Sequence, residues 1–279
     1  MSTPLWARLV LRATRATLKL HRAQEILRDE LLFAYLPPSA RAEFTVESYE
    51  PERNYLPGGA IFESGLFDWE RALLESSHLP RSGRVLLGAA GGGRELKALA
   101  ERGYGVVAFE PARTLLAGAR QVAERFPGSS VLHGTYADLC ALARNEPSAL
   151  AELDLKVDFI WLGWGSLSHL TTPGEPLALL QALRRLLPDK LVVLSYLPRG
   201  IEADKGHGAR KLREALRRAF ARLGGAAVPD GLECHTLGGF CYLFTPDEIA
   251  ELARGAGYRA VMLKLEPFPH AVLAPLVGS

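Results

Sequence analysis

Apolar and polar positions follow two different rhythms along this chain, and the change falls near residue 84. Ahead of it, residues 4–36 set Leu5, Leu9, Leu11, Leu18, Leu20, Ile26, Leu27, Leu31 and Leu32 at helical spacing, which predicts one or two amphipathic helices. Pro37 and Pro38 close that region, because proline has no amide hydrogen to donate and crowds the preceding turn. Residues 39–80 are less regular, with a short helix predicted from Asp68 to about Ser77. From residue 84, apolar runs at 84–88, 105–109, 130–133, 157–162 and 190–196 alternate with helix-period segments at 92–102, 112–125, 137–151 and 175–187. Strands alternating with helices mean parallel strands joined by right-handed crossovers, so the class is α/β and doubly wound.

The rhythm breaks again after strand five. Residues 207–223 predict a strongly basic amphipathic helix, and a glycine-rich stretch runs from Gly224 to Gly239. Thr245 then reads as an N-cap, with Pro246 in the first turn and Asp247 and Glu248 favoured by the helix dipole. That helix should end near Gly255, ahead of apolar runs at 258–265 and 271–277. Only a few residues separate these runs, too few for a crossover helix, so they should pair antiparallel.

Composition narrows the picture. A chain of 279 residues suits one large α/β domain with an appended piece, or two small domains. A net charge of +2 gives no global push toward nucleic acid or an anionic membrane. Cys140, Cys234 and Cys241 are odd in number and widely spaced, matching neither a disulfide framework nor a CxxC site, and a cytoplasmic location is expected. Cys234, His235 and Cys241 supply one close pair and no fourth ligand, so no metal is expected. No run approaches the roughly 20 apolar residues of a membrane span, and the Arg-rich N-terminus lacks the apolar core of a signal peptide.

The candidate chemistry lies in Val85 to Leu96, where a glycine turn from Gly88 to Gly93 separates strand from helix. Seventeen residues past Gly93, Glu110 ends the second apolar run, Val106 to Phe109. Glycines let backbone approach a ligand and a terminal acid receives ribose hydroxyls, an arrangement suited to an adenosine-containing cofactor. The plainer alternatives are a tight turn at Gly91–Gly93 and a helix-capping acid at Glu110.

Five parallel strands, a helix and a closing antiparallel pair resemble the class I S-adenosylmethionine-dependent methyltransferases over residues 82–277. The resemblance rests on the glycine motif, Glu110, the segment Phe159 to Leu170 and the segment Phe244 to Tyr258. It implies a seven-stranded Rossmann-like sheet in residues 81–279, an N-terminal helical cap in 1–80 and a helical insertion at about 198–244. S-adenosyl-L-methionine would be the cofactor and S-adenosyl-L-homocysteine the product. Gly91 and Gly93 match the last two glycines of the family's Asp-x-Gly-x-Gly-x-Gly turn, within a cradle that also takes in Gly88. Ala89 stands at the first glycine and Leu87 at the acid. Alanine there implies a backbone that avoids positive φ. Glu110 would bind the ribose diol. Thr135, Tyr136 and Asp138 match the adenine loop, and Gly163 and Trp164 the loop beneath the methionine part.

The implied reaction is methyl transfer to a small-molecule acceptor, oxygen first, with His169 as general base. A satisfied structural histidine is the alternative for His169. Tyr196 lines the pocket or packs in the core, His133 closes strand three as a structural residue, and His207 and His235 carry no spacing argument. Asp138 is equally an N-terminal capping acid. Leu162-Gly-Trp-Gly165 differs from the Asn/Asp-Pro-Pro-aromatic signature of base-amine methylation, and nucleic acid is not expected as a partner. Monomer and homodimer both stay open. The rival readings are an NAD(P)-dependent oxidoreductase and a non-catalytic interaction protein on the same fold. For the basic segments 4–36 and 207–223 the readings are a packed cap, a lid, a solvated face, or a membrane- or RNA-binding helix.

Overall fold

Seven strands form one sheet in the order β3-β2-β1-β4-β5-β9-β8 in the computed structural model, which describes residues 4–199, 207–235 and 238–276. The parallel strands are β1 (Gly83–Gly88), β2 (Tyr104–Glu110), β3 (Ser130–His133), β4 (Phe159–Leu162) and β5 (Leu191–Ser195). The closing pair is β8 (Tyr258–Lys264) and β9 (His270–Pro275), antiparallel to each other, with β9 antiparallel to β5. A separate hairpin joins β6 (Leu232–His235) to β7 (Gly239–Tyr242). The helices are α1 (Leu5–Tyr35), α2 (Pro38–Tyr49), α3 (Ala60–Glu63), α4 (Asp68–Glu75), α5 (Arg94–Ala100), α6 (Arg113–Ala123), α7 (Tyr136–Ala143), α8 (Glu175–Leu186), α9 (His207–Arg222) and α10 (Pro246–Gly255).

Period-two alternation sorts each strand between two cores. Leu86, Val107, Ile160 and Val192 face α7, α8 and α10 through Leu139, Leu183 and Ile249. Val85, Leu87, Val106, Phe159 and Val193 face α4, α5 and α6 through Leu73, Leu96 and Ala119. Leu87, at the position where the family carries an acid, is therefore a fully buried core residue.

Several elements depart from the sequence expectation. The helix expected over 137–151 ends at Ala143, where Asn145 takes a φ of 59° and Pro147 follows. The end of the glycine-rich stretch and the residues after it form the β6–β7 hairpin, whose Phe240 packs edge-on against Phe33 of α1 and Phe44 of α2. The N-terminal region is one helix of 31 residues, and its buried positions begin only at Ile26. Helix α9 packs along α1, held by Arg217 Nε to Glu30 Oε2 at 2.7 Å. Residues 200–206 of the insertion, and the side chains of His207 and His235, lie outside the described residues.

In this order successive strands are added first on one side of β1 and then, from β4 on, on the other, so the winding reverses between the parallel strands β1 and β4. The carboxyl ends of these two strands, with that of β2, form the crevice where open α/β sheets hold ligands.

Candidate functional site

The glycine turn leaves β1 through a path that other backbone groups fix. Ala90 N–H donates to Phe109 O at 3.0 Å, and Gly163 N–H donates to Gly88 O at 2.7 Å. Ala89 has a φ of 54°, against the expectation that alanine there avoids the left-handed region. The surrounding bonds enforce a conformation that costs an L-residue roughly 1–2 kcal/mol. Gly163 presses on the same turn: a Cβ there would overlap the Ala89 carbonyl oxygen. Gly91, at a φ of 56°, borders open space, and Gly92 lies so close to the Tyr55 carbonyl oxygen that a Cβ would overlap it. Gly93, at a φ of 94°, sets the N-terminus of α5 against α6, where a Cβ would sit 3.1 Å from Ala119 Cα.

Glu110 is 4% exposed at the end of β2. Its Oε2 accepts from Gly91 N–H at 2.7 Å and its Oε1 from Ala112 N–H at 2.9 Å. Burial pushes the carboxyl up to about 7, against the pull of the two N–H bonds. Two donors occupy half of what a carboxylate accepts, so capacity for further donors remains.

A cavity of about 610 Å³ opens between this turn and the N-terminal segment. Of the residues predicted for the site, Ala89, Gly91, Glu110, Thr135, Tyr136, Trp164 and His169 line it. Gly88, Gly93, Gly163 and Asp138 are not in its wall. The first three serve close packing of the turn, with Gly88 against the Tyr136 ring. Asp138 instead closes a capping box on α7, accepting from Thr135 N–H at 2.9 Å and from its hydroxyl at 2.6 Å. The Tyr136 hydroxyl meets Ser166 Oγ at 2.6 Å, which joins the β3 loop to the β4 loop.

His169 sits in the 3-10 turn after β4 and is held from two sides. Its Nδ1 lies 2.9 Å from Phe240 O and its Nε2 lies 3.1 Å from Tyr49 Oη. A carbonyl only accepts, so Nδ1 carries the proton and Nε2 accepts from the Tyr49 hydroxyl. Tyr49 comes from α2 and lines the cavity with Tyr55, and burial raises its phenol above the ordinary range. Of the aromatics in residues 39–80, these two reach the cavity. Phe62 and Trp69 are core, and Phe67 packs on Trp164.

Behind the turn lies a charged cluster with no motif in the sequence. Arg94 donates two hydrogen bonds to Glu70, at 2.6 and 2.7 Å, and a third at 2.7 Å to Glu95 Oε1. Its guanidinium lies 4.1 Å from the Phe67 ring centroid. Glu95 Oε1 also accepts from Trp164 N–H at 3.2 Å. Arg94 and Glu95 both border the cavity. In the sequence they look like an exposed first helical turn. Their only signal is the glycine turn just before them, which delivers that first turn to the cavity.

Other candidates stand elsewhere. Tyr196 is fully buried, edge-on to Phe244. His133 Nε2 bonds to Pro111 O at 3.0 Å outside the cavity. In the hairpin, Cys234 pairs with Phe240 and Cys241 with Glu233, so the two thiols point to opposite faces. Burial pushes the Cys234 thiol up to about 12.

Neither a protein-family model nor a curated protein matches this sequence. Solved structures do. A 1,6-didemethyltoxoflavin-N1-methyltransferase of Burkholderia thailandensis, crystallised with its substrate and S-adenosylhomocysteine, aligns at 19% identity and a TM-score of 0.57, over 86% of this chain and 92% of its own. The PH0226 protein of Pyrococcus horikoshii aligns at 18% identity and a TM-score of 0.56, over 82% and 98%. An S-adenosylmethionine-dependent methyltransferase of Methanosarcina mazei aligns at 16% identity and a TM-score of 0.51, over 77% and 100%. This chain has the class I methyltransferase fold. Against that fold, the cavity lies at the carboxyl edge of the sheet, with the glycine turn and Glu110 on one side and Tyr49 and His169 on the other.

Proposed function

We propose that this protein transfers a methyl group from S-adenosylmethionine to a small molecule, with oxygen as the first candidate acceptor atom. The observation that carries the reading is the buried Glu110 carboxylate, bonded to the glycine turn and bordering a cavity of about 610 Å³. That volume falls among small-molecule sites, roughly 300–1,000 Å³. The cofactor, when bound, supplies a methyl group already activated on a sulfonium. The residues present suit it. Glu110 has spare acceptor capacity for a ribose diol, and Gly91 offers backbone with no side chain in the way. Thr135, Tyr136 and Trp164 border the same space; Thr135 and Tyr136 would take the adenine and Trp164 the methionine part.

With an electrophile supplied, the chain's main task is alignment of the acceptor, an effect worth on the order of 7–11 kcal/mol. The Tyr49 hydroxyl donates to His169 Nε2, and an acceptor hydroxyl bonded to Tyr49 Oη would release its proton along that line. Tyr55 and the α2 residues Thr45 and Val46 line the cavity beside this pair.

Titration calorimetry with S-adenosylhomocysteine, NAD and NADP tests the reading. Binding of S-adenosylhomocysteine alone is expected. Binding of a dinucleotide alone would replace it with an oxidoreductase, and binding of none would leave a non-catalytic protein.

A further inference from the structure

The first two-thirds of α1 touch almost nothing. From Arg8 to Arg22 every residue is exposed, including Leu9, Val10, Leu11, Leu18 and Leu20 at 53–63%. Leu5 and Trp6 are exposed by 68% and 69%. Most helical stability in proteins comes from packing, which this segment lacks, and its exposed leucines form an apolar surface of the kind that marks a contact site. The order of the exposed residues is not random. Arg8, Arg12, Arg15, Lys19 and Arg22 recur at alternating intervals of four and three, which puts them in one row along the helix. Among the described residues the first four of them make no ion pair. Beside the row, Leu5, Leu9, Ala13, Ala16 and Leu20 recur at four, four, three and four and form an aliphatic face, with Trp6 on its flank. The first acid of the whole chain is Glu25.

We propose that residues 5–24 of α1 lie on an anionic lipid surface, with the cation row on headgroup phosphates and Leu5, Trp6, Leu9 and Leu20 at the acyl boundary. The match is one of charge and shape: Arg8, Arg12, Arg15 and Lys19, in no ion pair among the described residues, border an aliphatic face on a segment about 30 Å long. An RNA partner would use the cations and leave the leucines wet. A second copy of the helix would cover the leucines but bring two rows of like charge together. The acids further along are already engaged: Glu25 faces His21 at 3.7 Å, and Asp29 and Glu30 are buried against Arg28 and Arg217. No helix among the described residues is long and apolar enough to cross a membrane, so the contact is peripheral. The chain breaks from helix at Leu36 and Pro37 and then enters α2, whose Tyr49 borders the cavity.

Co-sedimentation of the full-length protein with vesicles tests this, using phosphatidylcholine alone against phosphatidylcholine and phosphatidylglycerol in equal parts. Binding to the anionic vesicles only, weakened by salt, is expected. Each cation removed should cost about fivefold in partitioning, so R8Q/R12Q/R15Q should lose on the order of a hundredfold. L9S/L20S should also bind more weakly. Both variants should keep the unfolding midpoint of the parent, since these side chains pack against nothing in the body. Failure to sediment with either vesicle overturns the proposal, as does equal binding to both. Without vesicle binding, a dimer broken by L9S/L20S would assign the face to a second copy. An RNA mobility shift broken only by the arginine variant would assign it to nucleic acid.

Discussion

Tyr49 from α2 and His169 from the turn after β4 meet at 3.1 Å across the cavity, although 120 residues separate them in the chain. The Phe240 carbonyl on the far side of the imidazole fixes the tautomer, so the pair has a direction: phenol donates, Nε2 accepts. Tyr49→Phe removes the hydroxyl and keeps the ring. Once an acceptor is found by screening for S-adenosylhomocysteine release, this variant should lower kcat by about 10²–10⁴-fold. Affinity for S-adenosylhomocysteine should stay unchanged. His169→Phe should do the same, and the double variant should fall no further, because the two groups act as one unit. Multiplying losses in kcat would separate the two roles.

Arg94→Met should cost stability. The substitution leaves Glu70 and Glu95 buried without their cation, a loss of about 3–5 kcal/mol in comparable cases. Burial already holds Glu70 up at about 6 against the pull of Arg94. Denaturant unfolding at neutral pH measures the loss. A loss below about 1 kcal/mol would mean that water replaces the guanidinium.

Ala89 and Gly92 make an opposed pair. Ala89→Gly relieves a φ of 54°, a gain of roughly 1–2 kcal/mol. The freer unfolded chain takes back roughly 0.4–1 kcal/mol. A small net stabilisation should follow, read as a raised unfolding midpoint. Gly92→Ala should destabilise by about 1–3 kcal/mol, because its Cβ must displace the Tyr55 carbonyl. That displacement moves a wall of the cavity, so affinity for S-adenosylhomocysteine should fall as well.

The sheet was legible because each strand is an apolar run closed by a turn, and the spacing between runs left room for one helix each. The short link between the last two runs was enough to make β8 and β9 antiparallel. The β6–β7 hairpin was not legible. Its strands are four residues each at the end of a glycine-rich stretch and just beyond it, and Phe240 finds its partners on α1 and α2. The carboxylate at Glu110 was readable from its place at the end of a strand. Tyr49 was one of six aromatics of equal appearance in residues 39–80, and only the path of α2 distinguishes it. Leu87 and Ala89 looked like departures that weaken a motif. In the fold Leu87 fills the core, and backbone bonds on either side hold Ala89 in the glycine-like conformation.

Glu110 should couple pH to both stability and cofactor binding. Its carboxyl sits at about 7 in the folded chain, against a usual 4.5. Between those values the folded protein keeps a proton that the unfolded chain has released. Its contribution is fully present below about 4.5 and is lost as the pH rises through about 7, a change on the order of 3 kcal/mol. Glu110→Gln removes that slope. It adds a pH-independent cost, since the amide nitrogen must face one of the two N–H groups that Glu110 now accepts from. The difference between the stability curves of the two proteins from pH 5 to 8 isolates the residue from Glu70. Ribose hydroxyls donate, so they favour the ionised carboxylate. Below pH 7, S-adenosylhomocysteine should therefore bind with release of a proton, and its affinity should rise toward neutrality by at most about tenfold per pH unit. Glu110→Ala should weaken binding by about 1.5–3 kcal/mol, the range for hydrogen bonds to a charged group. Calorimetry in buffers of different ionisation enthalpy measures the proton directly. Binding without proton release at pH 6 would place the ribose away from Glu110.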